Sequence, residues 1–419
     1  MRIAIVGTGI AGLTCAHLLR GRHDVTVFEA DDRPGGHANT VTVNLGGDEH
    51  RVDTGFIVYN ERNYPIFSRL LAELGVSSRP SDMSFSVSDE QAGIEWCASS
   101  PATVFAQRSN LARPSFLRML GDVVRFNRAA RRLLDRPVDF DFTLADFLAQ
   151  GRWSAGFVEW YLVPMGSAIW SADPSAFTSF PAAAFARFFD NHGLLGLGDQ
   201  PQWRTVVGGS VAYVTAITRP LGHRLRLSTA VSKIVRRRNG VEIATENGDV
   251  EHFDHVIVAT HSDQALRLLS DPTRAEREIL GRIGYRPNVA TLHTDERLLP
   301  RRARARASWN WNRRSAVGAP TLTYDLGRLQ GLSSMKPICL SLNQPDAIDP
   351  HLVIDTMTYW HPVFNPDAMR AQLRHGEISG HDAVSYCGAY WGYGFHEDGA
   401  RSAVRVCRAL GVPGPGEDG

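Results

Sequence analysis

The sequence predicts an α/β protein in which a parallel-sheet domain is interrupted by an inserted α+β region. Three observations carry this. The chain opens on strand, glycine loop, helix and second strand between Ile3 and Glu29. A helical, aromatic-rich block then fills roughly 100–200, and β-branched strand runs return at 225–260. Strands and turns alternate again over 288–361, as an antiparallel sheet would require. At about 150 residues per domain, 419 residues make two or three domains.

The opening segment is the most informative. Ile3–Val6 is a buried-strand run, and Gly7-Thr8-Gly9-Ile10-Ala11-Gly12 continues it as GxGxxG. Gly7 permits the tight turn, Gly9 lets backbone approach a pyrophosphate, and Gly12 lets helix and strand pack closely. The helix continues through Leu13, Ala16 and Leu19, so the amides of Ile10 and Ala11 open its N-terminus toward phosphate. Val25–Phe28 is the second strand. It ends in Glu29, 22 residues after Gly7, placed to accept from ribose hydroxyls. Together these predict a dinucleotide site.

The loop after Glu29 distinguishes between dinucleotides. Glu29-Ala30-Asp31-Asp32-Arg33-Pro34-Gly35-Gly36-His37 reads E-x-x-x-R-x-G-G, and Asp53-Thr54-Gly55-Phe56 comes after a short hairpin. The stretch resembles the second FAD signature of the glutathione-reductase-like flavoproteins. The branch it is similar to holds flavin amine oxidases, protoporphyrinogen oxidases and phytoene-type desaturases. The resemblance implies a glutathione-reductase-type Rossmann-like FAD domain with an inserted α+β substrate domain, an antiparallel sheet plus helices. It implies that Arg33 contacts a non-covalent FAD and that Gly35, Gly36 and His37, with Ala30 beside the acid, line its path. Covalent attachment through Cys387 or His37 is not expected. No second GxGxxG occurs, so a separate NAD(P)H domain is not expected either.

Further along the chain, residues 62–75 read as a helix stopped by Gly75, and 76–100 as strands and turns. Over 115–135, Phe116, Leu120, Val123, Ala130 and Leu134 share one helical face, and Arg118, Asp122, Arg125 and Arg132 another. Thr143 caps a short helix Leu144–Ala149, and 153–170 form a helix rich in Trp, Tyr and Phe. Gly208-Gly209-Ser210 resembles the family's mid-chain Gly-Gly element, with Tyr213 or Val214 near its aliphatic position. Val231, on a strand over 225–235, is the residue whose backbone would meet the adenine by the same resemblance. The stretch 303–311 alternates strictly, Ala and Trp on one side and Arg, Ser and Asn on the other, as a strand beside a cationic patch.

The segment from Tyr386 to Ala400, with a helix after it over Arg401–Leu410, resembles the family's final motif. By that resemblance Gly388, Gly394, Glu397 and Asp398 contact the flavin, and Trp391 and Tyr393 wall its face. Ala389 departs from the pattern, which usually has an acidic residue there. The implied division is an FAD domain of 1–75, 203–270 and 378–419, and a substrate domain of 76–202 and 271–377.

Composition narrows function. Lys plus Arg is 45 and Asp plus Glu 44, so no nucleic-acid partner is expected. The five cysteines, Cys15, Cys97, Cys339, Cys387 and Cys407, are widely spaced without CxxC, so neither metal binding nor a disulfide framework is expected. No signal peptide and no 18-residue apolar run is visible, which predicts a cytoplasmic protein, peripheral at most at the inner face of a membrane. Basic residues are nearly all arginine: Lys233 and Lys336 are the two lysines. Amine oxidases of this branch usually place a lysine, water-bridged to the flavin, on a substrate-domain strand. Here that strand is expected at Val289–His293, with Thr291 or a neighbour in its place.

The candidate proton-handling groups are His293 on that strand and His396-Glu397 before the last helix. The stretch from Gly392 to Gly399 resembles a bacterial group that accompanies cyclopropane-fatty-acyl-synthase-like methyltransferases. That resemblance implies an FAD oxidoreductase removing a hydride from an unsaturated, perhaps methylated, fatty acyl chain, a lipid-like substrate, with a methyltransferase as candidate partner. The alternatives are an amine oxidase, an isoprenoid- or porphyrin-type desaturase, and a flavin-binding partner without its own chemistry.

Overall fold

The computed structural model describes residues 1–135, 137–170, 177–196, 200–314 and 320–417. Its first layer is a five-stranded sheet with every neighbouring pair parallel. The order is Leu225–Arg226, Asp24–Phe28, Arg2–Val6, His255–Val258 and Val384–Tyr386. Strand alternation sorts the core. Ile3, Ile5, Val25, Val27 and Ile257 meet Ala11, Cys15, Ala16 and Leu19 of the helix Ile10–Leu19, and Ala403, Val406 and Cys407 of the helix His396–Ala409. On the opposite face Ala4, Val6, Phe28, Val256 and Val258 meet Ile234, Val241, Ile243 and Phe253. These last belong to a three-stranded antiparallel sheet of Val231–Arg237, Gly240–Thr245 and Val250–Phe253. Register aligns Val6 with Phe28 and Val258, so Gly7, Glu29 and Ala259 emerge together at one end of the sheet.

The second layer is a seven-stranded sheet: Val353–Val363, Gly284–His293, Cys339–Leu342, Thr321–Asp325, Trp309–Arg313, Phe85–Asp89, Ile94–Cys97. It differs from the expected antiparallel sheet in two ways. Two of its strands come from residues before 100, and Trp309–Arg313 pairs with Phe85–Asp89 in parallel. Strand alternation gives it two different faces. Ala290, Leu292, Trp311, Leu322, Leu340 and Val87 face the helices Pro114–Leu134 and Ala182–Asn191 through Phe116, Met119, Phe126, Phe185 and Phe189. The other face is buried and polar. Ser86 donates to Asn310 at 2.8 Å, Thr323 and Ser341 lie 2.7 Å apart, and His293 and Ser341 2.9 Å apart.

That polar face corrects the expected strand at 303–311. The Asn310 side chain accepts from the Ala307 amide and donates to its carbonyl, and the amides of Arg301 and Arg302 are held by Glu95. The chain therefore curls into a 3-10 turn at Ala303–Ala305, and pleated pairing begins only at Trp309. Nor is the region a bare cationic patch. Arg301 pairs with Glu90, Arg302 with Glu95, Arg306 with Glu296 and Arg313 with Asp89.

Three helices shift. The one expected at 62–75 spans Pro65–Glu73. The one expected at 153–170 is Ala155–Phe157 and Val163–Trp170 joined by a π turn over Val158–Leu162. The last helix begins at His396, not Arg401, because the Asp398 carboxylate accepts from the Phe395 amide and caps the earlier turn. Among the described residues no helix is long and apolar enough to cross a membrane.

Candidate functional site

In an α/β sheet the nucleotide crevice lies where the parallel strands end, here at Gly7, Glu29 and Ala259. Its floor is dictated by glycine. Gly7 has φ +101, and a Cβ on it would lie 3.0 Å from the Ala259 carbonyl oxygen. A Cβ on Gly12 would lie 1.9 Å from the Gly7 carbonyl oxygen, so no other residue fits. At Gly9, which caps the helix Ile10–Leu19, a Cβ would meet nothing within 4 Å. The first-turn amides of Ile10 and Ala11 thus begin a helix beside open space.

The second loop is laid on the first. Gly36 packs against Gly9, its virtual Cβ 3.3 Å from the Gly9 Cα. Thr8 ties them together: its hydroxyl bonds Glu29 and accepts from the Gly35 amide at 3.0 Å. Glu29 also accepts from the amides of Thr8 at 2.9 Å and Asp31 at 3.1 Å, with Ala30 exposed between. Arg33 donates to the carbonyl oxygens of Gly36 and Ala38, so its fork shapes the loop. Thr229 donates to the Glu29 carbonyl, which brings the approach to Val231 beside the acid.

The C-terminal segment closes the crevice. The Gly388 amide donates to Ser402 at 2.8 Å. Gly394, at φ +89, passes within 3.4 Å of the Phe364 ring by its virtual Cβ. Asp398 accepts from the amides of Tyr393 and Phe395, and burial raises its pKa. Trp391, half-buried, packs edge-on against His375, 4.5 Å between centroids, and against Tyr390 at 5.0 Å. Tyr393 does face the inserted helices, 5.9 Å from Phe188, which also stacks on Phe395 at 5.2 Å.

The three proton-handling candidates separate. His293 is fully buried in the polar face of the large sheet. Its Nε2 meets Ser341, its Nδ1 accepts from the Asp295 amide at 3.0 Å, and burial pushes its pKa down to about 4. It is a satisfied core histidine. Glu397 uses both oxygens on the amides of Ile66 and Phe67, capping the helix Pro65–Glu73. It holds two helices together rather than facing a substrate. His396 stacks on Phe56 at 3.4 Å between centroids and bonds the Tyr213 hydroxyl at 3.0 Å. Burial brings its pKa down to about 3, so it is a neutral packing group at ordinary pH.

Instead the structure gathers groups that sequence reasoning had not joined. The His37 ring lies 5.1 Å from Tyr359, 5.3 Å from His361 and 6.3 Å from His261. Tyr359 is anchored by Thr54 at 2.7 Å and Asn39 at 3.0 Å, and His361 by Asn288 at 2.7 Å. Burial first, then the neighbouring imidazoles, hold His37 well below the usual histidine range, and burial brings His361 to about 4. These imidazoles are neutral, able to accept a proton and carrying no charge. The one available signal was His261, three residues past a strand end and ready to cap the next helix.

The site fits an FAD on these observations: an open cradle at Gly9, helix-start amides for a pyrophosphate, an acid ending the second strand beside them, and a buried His37 Nε2 without a partner. Gly7, Gly9, Ile10, Ala11, Gly12, Glu29, Gly36 and His37 would hold it.

The comparisons agree. Residues 10–411 match the model of the flavin containing amine oxidoreductases, and the chain belongs to that family, whose cofactor is FAD. A curated relative from Mycobacterium tuberculosis, named for a flavin-containing monoamine oxidase (AofH), is 27% identical over 289 residues. The match covers 64% of this chain and 59% of the relative, so it spans little more than half of that protein. Among solved structures, cyclohexylamine oxidase from Brevibacterium oxydans IH-35A has a TM-score of 0.71 at 16% identity, covering 98% of this chain and 99% of that one. A CLA-producing fatty acid isomerase from P. acnes has 0.71 at 18%, covering 97% and 98%. Putrescine oxidase has 0.68 at 15%, covering 98% and 99%. At such identities the likeness is one of fold.

Proposed function

We propose that this flavoprotein removes a hydride from a carbon next to a double bond in an unsaturated fatty acyl chain, desaturating or oxidising it. The observation that carries this reading is the chemistry of the inserted domain facing the crevice. Phe188, Tyr393 and Phe395 border an aromatic and aliphatic interior built on the apolar face of the large sheet. An ammonium substrate would want an uncommitted carboxylate or a lysine-organised site. Among the described residues the buried carboxylates of the inserted domain are engaged: Asp89 by Arg313, Glu95 by Arg302, Asp122 by Arg125 and Ser154, Glu276 by Arg236, Asp295 by Arg297. Both lysines are exposed, Lys233 on the three-stranded sheet and Lys336 in a loop, and Thr291 stands on the strand where a lysine is usual. When bound, FAD would accept the hydride, and the proton lost from the neighbouring carbon would pass to one of the neutral imidazoles of His37, His261 or His361, so that two hydrogens leave the chain. The chain's part is to bury the acyl chain against aromatic walls, exclude water, and offer only neutral imidazoles near the crevice.

The fatty acid isomerase among the structural neighbours supports an acyl chain in this fold, and the amine oxidases support the competing substrate. Product analysis separates them. Incubation of the FAD-loaded protein with an unsaturated acyl lipid and an electron acceptor should give a product lighter by the mass of two hydrogens. Aldehyde and ammonia from amines, with acyl lipids unchanged, would replace this reading by the amine one.

A further inference from the structure

The chain carries two arginine-rich stretches, and only one is neutralised. Over 301–313 four of the five arginines meet a carboxylate, Arg304 being the exception among the described residues. The helix Pro114–Leu134 is different. It carries Arg118, Arg125, Arg128, Arg131 and Arg132 and a single carboxylate, Asp122. Asp122 is buried and paired with Arg125 at 3.0 Å. Among the described residues no carboxylate lies within ion-pair distance of Arg118, Arg128, Arg131 or Arg132, all of them exposed.

The same face carries apolar side chains. Leu117, Gly121, Val124 and Arg128 are spaced by four, three and four, which is one stripe along a helix. Leu117 is 44% and Val124 43% exposed, and Leu111 in the preceding 3-10 turn is 56% exposed. The inner face of this helix (Phe116, Met119, Phe126, Ala130) is fully committed to the core of the inserted domain. Leucine and valine are therefore turned outward on a helix whose apolar demand is already met within.

We propose that this outer face docks on the surface of an anionic phospholipid bilayer. Phosphates along such a surface match unpaired arginines, and the few central aliphatics enter the headgroup boundary while arginine stems reach up beside them. A purely electrostatic partner such as nucleic acid has no use for Leu117 and Val124, and an apolar protein partner has none for four unpaired guanidinia. The contact is shallow and salt-sensitive, and it sets the inserted domain against the lipid. It stands independently of the acyl-substrate reading, because it concerns the outer face of the helix only.

The test is co-sedimentation of the full-length, FAD-loaded protein with vesicles. Binding to phosphatidylglycerol-containing vesicles and not to pure phosphatidylcholine, weakening as salt is raised, is the expected result. The triple variant R128E/R131E/R132E should bind at least tenfold more weakly. R238E/R277E/R304E, the same charge change on exposed arginines elsewhere, should bind as the parent does. L117S/V124S should weaken binding severalfold at unchanged charge and decides the matter if the triple variant loses its flavin. No binding to anionic vesicles, equal binding to neutral ones, equal loss in both arginine triples, or retention by duplex DNA in place of vesicles would each overturn the proposal.

Discussion

The cofactor end and the inserted domain are made of different material. The cofactor end is backbone: Gly7, Gly9, Gly12 and Gly36 set its shape by what they lack, and side chains such as Thr8, Glu29 and Arg33 brace the loops. The inserted helices beyond it are held by side chains: aromatic residues from Phe116, Phe126, Phe157 and Phe185 to Phe188 fill the core over the large sheet. At Gly7, Gly12 and Gly36 the neighbour that a Cβ would meet is itself main chain, so these positions tolerate little change. A site made from packing responds in graded fashion, according to the volume removed.

That contrast predicts a ranking of effects. The largest belongs to Gly12→Val, whose Cβ would fall 1.9 Å from the Gly7 carbonyl oxygen. Purified variant should carry essentially no flavin, read as flavin absorbance per chain. Full flavin occupancy in G12V would break the backbone account.

Acidification comes next and strikes both ends. Burial lowers His255, His293 and His375 to about 4 and His396 to about 3, against an unfolded value near 6.5. A histidine with a depressed folded pKa contributes stability above pH 6.5, and that contribution is lost as pH falls toward 4. Each of these sites withdraws stability as pH falls, by about 1.4 kcal/mol for every unit its folded pKa lies below the unfolded one. Asp53 works in the opposite sense. Burial raises it to about 6 despite bonds from Thr40 and Ser210, so acidification relieves it. Burial raises Asp325, Glu397 and Asp398 in the same sense as Asp53, and it lowers His192 and His361 to about 4 as well; the lowered histidines are the more numerous, and Tm should fall between pH 6 and pH 4. A flat profile over that interval would show that these histidines are accessible to protons in the fold.

Phe126→Ala tests the packed end. Phe126 is fully buried among Phe147, Trp153, Phe157 and Phe185, and its truncation should cost about 3–5 kcal/mol in denaturant unfolding. The folded fraction should keep its flavin, which separates the two ends. The smallest effect expected is none: K233A/K336A should leave the rate of flavin reduction by substrate unchanged, since both lysines are exposed.

The same contrast explains what could be read from sequence. Backbone requirements leave a fixed-spacing record, so GxGxxG, Glu29 and the Arg33–Gly36 loop were legible, as were the parallel sheet and most helices. The failures lie where tertiary partners decide. His293 on a promising strand proved to be bonded to Ser341 and the Asp295 amide, partners 48 and 2 residues away. Glu397, apparently poised at a flavin, caps a helix more than 300 residues earlier. Alternation at 303–311 was genuine in the sequence but was overridden by the Asn310 side chain and Glu95. The grouping of His37, His261, Tyr359 and His361 needed three distant segments to meet, which no local pattern announces.

The central claim is that the flavin of this chain takes a hydride from an unsaturated acyl carbon. The most direct measurement is anaerobic mixing of the FAD-loaded protein with a series of acyl lipids and, separately, with primary and secondary amines, following flavin absorbance. The account predicts bleaching by unsaturated acyl lipids, none by their saturated counterparts, and none by amines. Bleaching by amines, with absorbance unchanged across every acyl lipid, would contradict it.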